Sequence, residues 1–198
     1  MLGFNYKKAV QALDLLAIKA GGTLNKMKAI KIIWLSDRMH LRKYGRTITG
    51  DEYFAMKNGP VPSGTKDILQ HSDFLSDTAK DYASEYITEV DVYNYKSLIA
   101  PEMDEFSDSD LDIIETVLSN YGGLNHFELS QLSHSFPEWK RFESRLNSHM
   151  SSRYTIDQLD FFTNVDDEKG LFSSPKEDVL DAVKEYYLNT KSNEWLFA

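Results

Sequence analysis

The sequence predicts a mainly α, α+β fold, a compact helical domain carrying a small antiparallel β-hairpin. Three observations lead there. Apolar residues recur at three- and four-residue steps through most of the chain, and Asn, Ser or Thr stands repeatedly at helix starts with Asp, Glu or Gln three residues on. Only one stretch, Glu85 to Ala100, switches to period-two alternation. With 198 residues, 41% of them hydrophobic, the chain is long enough to bury one good core and to carry an extension.

The elements follow in order. Asn5 caps a first helix with Val10, Leu13, Leu16 and Ala17 on its buried stripe, and Gly21-Gly22 stops it. A second helix from Asn25 to Tyr44 carries Met27, Ile30, Ile33, Trp34 and Leu41 at helical spacing, with Gly45 placed for a left-handed C-terminal cap. Turn signals at Thr49-Gly50-Asp51 and Asn58-Gly59-Pro60 flank Tyr53-Phe54-Ala55-Met56, an ordered loop or short strand. Helix resumes near Ser63 or Thr65 and fades by His71. The hairpin comes next, with Tyr86, Thr88 and Val90 followed by Val92, Tyr93, Tyr95, Leu98 and Ile99, and it is the only sheet expected.

Ser107 with Asp110 then makes a reciprocal cap for a helix bearing Leu111, Ile114, Val117 and Leu118, ended by Gly122-Gly123. Asn125 with Glu128 repeats the device, and Pro137 opens a further helix through Trp139 and Phe142. The expected division is a domain over residues 1–150 and a helical extension over 151–198 packed on or near it. In the extension, Thr155 with Gln158 and Ser174 with Glu177 read as capping boxes. The last helix is expected to bury Val179, Ala182, Val183, Tyr186 and Tyr187. Its apolar tail, Trp195-Leu196-Phe197, is expected to dock on the chain's own core, with a partner or dimer contact as the alternative.

Composition restricts function. There is no Cys, which removes disulfides and thiolate chemistry from consideration. The polar start and the lack of any apolar run near the roughly 20 residues of a membrane span point to a cytoplasmic protein without membrane attachment. Net charge is −9, so direct nucleic-acid binding is not expected, since that affinity rests on Lys and Arg meeting phosphate. The charge is uneven, however. Lys26, Lys28, Lys31, Arg38, Arg42, Lys43 and Arg46 crowd the second helix and its end, while Asp73 to Glu115 is dominated by acids.

Sequence signatures of enzymes or cofactor binding are missing: no phosphate-cradling glycine loop, no His-Glu-x-x-His and no Gly-x-Ser-x-Gly. Neither a cofactor nor a metal is expected. Asp37 and His40 lie three apart on one helical face, spacing that suits an acid-oriented imidazole or half a metal site. The plainer expectation is that both hydrogen-bond the loop that follows, since buried polar groups find partners. Gly59-Pro60-Val61-Pro62 reads as a stiff extended corner, either structural or presented to a partner. Trp139 reads as core.

These residues carry a resemblance. The run Ile33 to Arg46, then Ile48-Thr49-Gly50-Asp51, Ala55-Met56, Gly59-Pro60-Val61-Pro62-Ser63, Leu132-Ser133-His134 and Pro137-Glu138-Trp139 resembles, in that order, the Panacea domain of the SocA-like antitoxin family. The likeness spans roughly Leu24 to Phe142. Trp34 stands where the family more often has a smaller aromatic or aliphatic residue. The resemblance implies an antitoxin of a type II toxin–antitoxin module, neutralising a cognate protein toxin by direct protein–protein binding. The alternatives are an adaptor delivering the toxin to a protease and a DNA-associated phage or regulatory protein, and a homodimer stays open. It marks Asp37, His40, Tyr44, Gly45, Gly50, Gly59, Pro60, Val61, Pro62, His134 and Trp139 as the structural motif. Partner contacts are expected at Arg38, Arg42, Lys43, Arg46 and Asp51.

Overall fold

The computed structural model describes residues 3–148, 150–173 and 176–195. In chain order the elements are α1 (Tyr6–Lys19), β1 (Thr23–Asn25), α2 (Lys26–Tyr44), β2 (Tyr53–Met56), β3 (Gly59–Pro62), α3 (Ser63–Leu69) and α4 (Asp77–Tyr86). They continue as β4 (Ile87–Glu89), β5 (Asn94–Ser97), α5 (Asp108–Tyr121), α6 (His126–Ser133), α7 (Pro137–Lys140), α8 (Glu143–Asn147), β6 (Arg153–Thr155) and α9 (Glu177–Trp195). Single 3-10 turns lie at Met103–Glu105 and Gln158–Phe162. With 56% helix against 11% strand the fold is mainly α, with two small three-stranded antiparallel sheets, an α+β fold.

Local chemistry accounts for most helix ends. Asn5 accepts from the Lys8 N–H at 3.0 Å, and Asn25 accepts from Lys28 at 3.1 Å. The Ser107/Asp110 and Asn125/Glu128 pairs close as reciprocal capping boxes. Gly45 ends α2 at φ 72°, the left-handed position that a side chain disfavours.

α2 is the axis of the molecule. From Lys31 to Arg38 every residue is buried, because α5, α6, β3 and α9 all pack against this helix. A helix enclosed all round loses the simple apolar stripe of a surface helix. Here the inward positions that are not apolar are filled by Lys31, Ser36, Asp37, Arg38, His40 and Arg42.

The predicted hairpin exists but is shorter. Tyr86 belongs to α4, an element not expected from sequence, and only Ile87–Glu89 and Asn94–Ser97 pair, with β1 adding a third strand in the order β1-β5-β4. The reason is visible in α4. Its inward positions are Ala79, Ala83 and Tyr86, two of them too small to give an apolar signal. A second sheet, in the order β3-β2-β6, was also not expected. β2 and β3 form a tight hairpin, Met56 facing Gly59 and Ala55 facing Pro60, so the corner at Gly59-Pro60-Val61-Pro62 is an edge strand. Edge positions tolerate proline because one side of the strand needs no donors.

Residues after 150 enter the same core. β6 pairs with β2, which places Thr155 in a strand and leaves Asp157 to cap the Gln158–Phe162 turn, in place of the Thr155/Gln158 box. Phe161, Phe162, Phe172, Leu180 and Tyr187 join the main cluster. α9 buries Leu180 and Tyr187 with Val183 partly covered, while Val179 and Tyr186 are exposed, so the expected stripe is rotated around the helix. The Ser174/Glu177 box and the side chains of the apolar tail lie outside the described residues.

Gly59 shows how tightly the hairpin meets α2 and α6. Its φ is 102°, and a Cβ there would sit 2.0 Å from Ser133 Oγ and 2.6 Å from Lys31 Nζ. Gly59→Ala is expected to lower unfolding free energy by roughly 2 kcal/mol or more through overpacking and backbone strain, measured by urea denaturation. Gly123→Ala, where a Cβ meets nothing within 4 Å, should change it by less than about 0.5 kcal/mol. Equal effects at the two sites would contradict this account.

Candidate functional site

The motif residues converge on α2. Five ionisable side chains leave this helix and are buried, and between them they hold the hairpin corner, the loop after α2, the start of α5, α7 and the chain past residue 160. Near the N-terminal end, Lys31 donates through Nζ to the Pro60 carbonyl at 2.8 Å. Among the described residues no carboxylate pairs with it, and burial pulls its pKa from 10.5 down to about 7.

Further along the helix, Asp37 organises the loop after α2. Its Oδ1 accepts from the backbone N–H groups of Ile48 at 2.7 Å and Thr49 at 3.0 Å. Its Oδ2 accepts from the Thr49 hydroxyl at 2.6 Å and the Tyr53 hydroxyl at 2.8 Å. Burial pushes this carboxyl upward, and the four donors oppose that push. His40 holds the same loop from its other end. Its Nδ1 lies 2.8 Å from the Arg46 carbonyl, which can only accept, so Nδ1 is the donor. Its Nε2 lies 3.1 Å from Ser109 Oγ and 3.1 Å from Asp110 Oδ1. Both residues therefore bond the following loop, as expected.

Asp110 draws several groups together at the start of α5. It pairs with Lys8 at 2.8 Å and Arg46 at 2.9 Å and accepts from the Ser107 N–H at 3.0 Å. Burial alone would raise its carboxyl, but the bonds from His40, Lys8 and Ser107 hold it well below the usual carboxylate range.

Arg38 is fully buried and donates through Nε to Glu138, also fully buried, at 2.8 Å. Its Nη2 donates to the Thr163 carbonyl at 2.8 Å. The rings of Phe136, Phe172 and Phe161 surround the guanidinium at 4.8, 5.0 and 6.0 Å. Burial lowers the Arg38 pKa and raises that of Glu138, and each ion opposes the shift in the other. Arg42 spends its guanidinium on the chain past residue 160. It donates to the carbonyls of Phe161, Thr163 and Phe172 and to Asn164 Oδ1, at 2.6–3.2 Å.

The five expected contact residues thus divide. Arg38 and Arg42 are 0% and 2% exposed, and Asp51 is 2% exposed, so none of these three expected contact residues presents its side chain at the surface. Asp51 accepts from the Gly64 N–H at 2.7 Å and from the Thr65 N–H and hydroxyl at 2.8 Å each, serving as a remote cap for α3, whose own preceding residue is Pro62. Lys43 is exposed and pairs with Asp112 at 3.3 Å, and Arg46 is 41% exposed at its side chain. Of the other motif positions, Tyr44 is 38% exposed with its ring 4.7 Å from that of His40, and Gly50 has φ 67°. Trp139 donates to the Met56 carbonyl at 2.7 Å and stacks on His134 at 3.7 Å.

Sequence reasoning missed Lys31, Asp110 and Glu138 as buried ionic members of this set. Asp110 and Glu138 carry local cap and motif signals, but their partners Lys8 and Arg38 lie 102 and 100 residues away in the chain. Among the described residues no group of three or more His, Cys, Asp or Glu could hold a metal ion, and no helix is long and apolar enough to cross a membrane.

Fold and site together define a small helical scaffold in which one buried, charged helix holds its surrounding loops. The family model described as "Antitoxin SocA-like, Panacea domain" matches residues 30–140, from within α2 to the end of α7. The chain belongs to that family. No curated protein and no solved structure matches it.

Two outcomes follow. Arg38→Met or Glu138→Leu alone leaves a buried ion without its partner and is expected to cost about 3–5 kcal/mol in urea unfolding, whereas the two together should cost clearly less than the sum. Additive losses would contradict the coupling. Lys31 makes stability depend on pH. Its folded pKa lies below its unfolded value of 10.5, so the unfolded chain holds more protons between about pH 7 and 10.5, and stability rises with pH across that window. Lys31→Met should be more stable than the parent at pH 7, with the advantage shrinking toward pH 10. Parallel pH profiles in thermal melts would contradict this.

Proposed function

We propose that this chain is the antitoxin of a type II toxin–antitoxin module and neutralises a cognate protein toxin by binding it directly, in the cytoplasm. The family match over residues 30–140 is the observation that carries this reading. The geometry supports it. The loop after α2, the β2–β3 hairpin and the start of α3 are each tied to buried side chains, so their outward faces are ordered before a partner arrives. Preorganisation of this kind reduces the entropy lost on association.

Lys43 and Arg46 are the members of the expected contact set that can meet a toxin at the surface. Arg38, Arg42 and Asp51 act through the segments they hold. The chain should restore growth to cells expressing the toxic product of the gene beside its own, and the two proteins should co-purify. Rescue without a stable complex, lost when the cell's ATP-dependent proteases are deleted, would favour delivery for degradation. A neighbouring gene whose product is harmless would count against the antitoxin reading itself.

A further inference from the structure

A groove of about 870 Å³ lies between the N-terminal end of α2, the β2–β3 turn, α3, the β4–β5 tip and the start of α6. Its lining includes Met27, Ile30, Val61 and Leu69. Around it stand three large apolar residues that face solvent, Val92 at 75%, Tyr93 at 72% and Phe127 at 68% exposure. Isolated exposed apolar residues are ordinary, but three beside one apolar depression mark a contact surface.

Its charge runs against that of the molecule. The whole sequence has 31 acidic and 22 basic residues, yet the groove is lined by Lys26, Lys31, Lys57 and Lys66 and by no Asp or Glu. Two of these lysines are already engaged: Lys26 pairs with Glu89, and Lys31 serves the Pro60 carbonyl. Lys57 stands exposed at the hairpin turn, and Lys66 is half-buried with Asp67 only at 4.0 Å. The edge strand β3 beside the groove contributes Pro60 and Pro62, which lack backbone donors. A strand-adding partner therefore finds a poor template there, whereas an amphipathic helix needs only an apolar trough and charges along its edge.

We propose that this groove is the docking site for an acidic amphipathic helix of the toxin, with its apolar face seated between Met27, Ile30 and Phe127 and its carboxylates meeting Lys57 and Lys66. This rests on the antitoxin reading and places the main contact at the opposite end of α2 from Lys43 and Arg46. Electrostatic complementarity across such a surface sets orientation and association rate, and salt weakens it.

The test uses the full chain and the purified product of the adjacent gene. Lys57→Glu with Lys66→Glu should weaken binding by about tenfold or more, with an unchanged melting temperature, and Phe127→Ser should weaken it independently. Lys43→Glu should have a smaller effect. A photo-crosslinking p-benzoylphenylalanine at position 127 should capture an acidic amphipathic segment of the partner, identified by mass spectrometry. Wild-type affinity in the groove variants, or crosslinks only from the same probe at position 43, would overturn the groove while leaving direct binding intact. Crosslinks from position 127 to a second copy of this chain would overturn it in favour of self-association. Failure of the unaltered chain to bind the adjacent product would instead defeat the antitoxin reading, and this site with it.

Discussion

An ion taken out of water is destabilising by several kcal/mol unless partners surround it, and α2 buries five ionisable side chains. Lys31, Asp37, Arg38, His40 and Arg42 are each 2% exposed or less. Their partners lie on several separate segments, so the positions of those segments are set by where α2 presents these polar groups. Arg38 and Glu138 impose the strictest condition, since both are fully buried and the guanidinium is ringed by three phenylalanines from three parts of the chain. Displacing α7 or residues 161–172 would strand one of these charges in apolar surroundings. Apolar burial supplies the bulk of the core, but these bonds select a single arrangement of its pieces.

What could be read from sequence was what short-range chemistry encodes. Asn5, Asn25, Ser107 and Asn125 mark helix starts because the side chain and the N–H it accepts from are within three residues. Gly45 marked the end of α2 for the same reason. Long-range pairing leaves no such mark. The β3-β2-β6 sheet joins residues about 100 apart in sequence, such as Ala55 and Tyr154, and the prolines of β3 argue locally against a strand. The site followed the same division. Asp37 and His40, whose loop follows directly, were legible as loop holders. Arg38 and Arg42 were read as partner contacts because the groups that accept their hydrogen bonds lie 100 to 130 residues further on.

The family motif is therefore mainly a record of how the scaffold is held. Gly59 is glycine because Lys31 and Ser133 fill the space a side chain would need, and Asp51 is acidic because α3 begins after a proline and takes its cap from elsewhere. Such a scaffold presents loops that are fixed from inside, with outward faces free to differ in chemistry. The match ends at residue 140, yet Arg38 and Arg42 reach past it to Thr163 and Phe172, so the later segment is built into the same frame.

Native-state amide hydrogen exchange tests most directly whether α2 holds its surroundings in one cooperative unit. The N–H groups of Ile48 and Thr49, which bond the Asp37 carboxylate of α2, should exchange with nearly the same free energy as amides within α2. Exchange of these amides several kcal/mol more easily than α2 itself would mean that this loop opens locally, and would contradict the claim that buried charge on one helix fixes it.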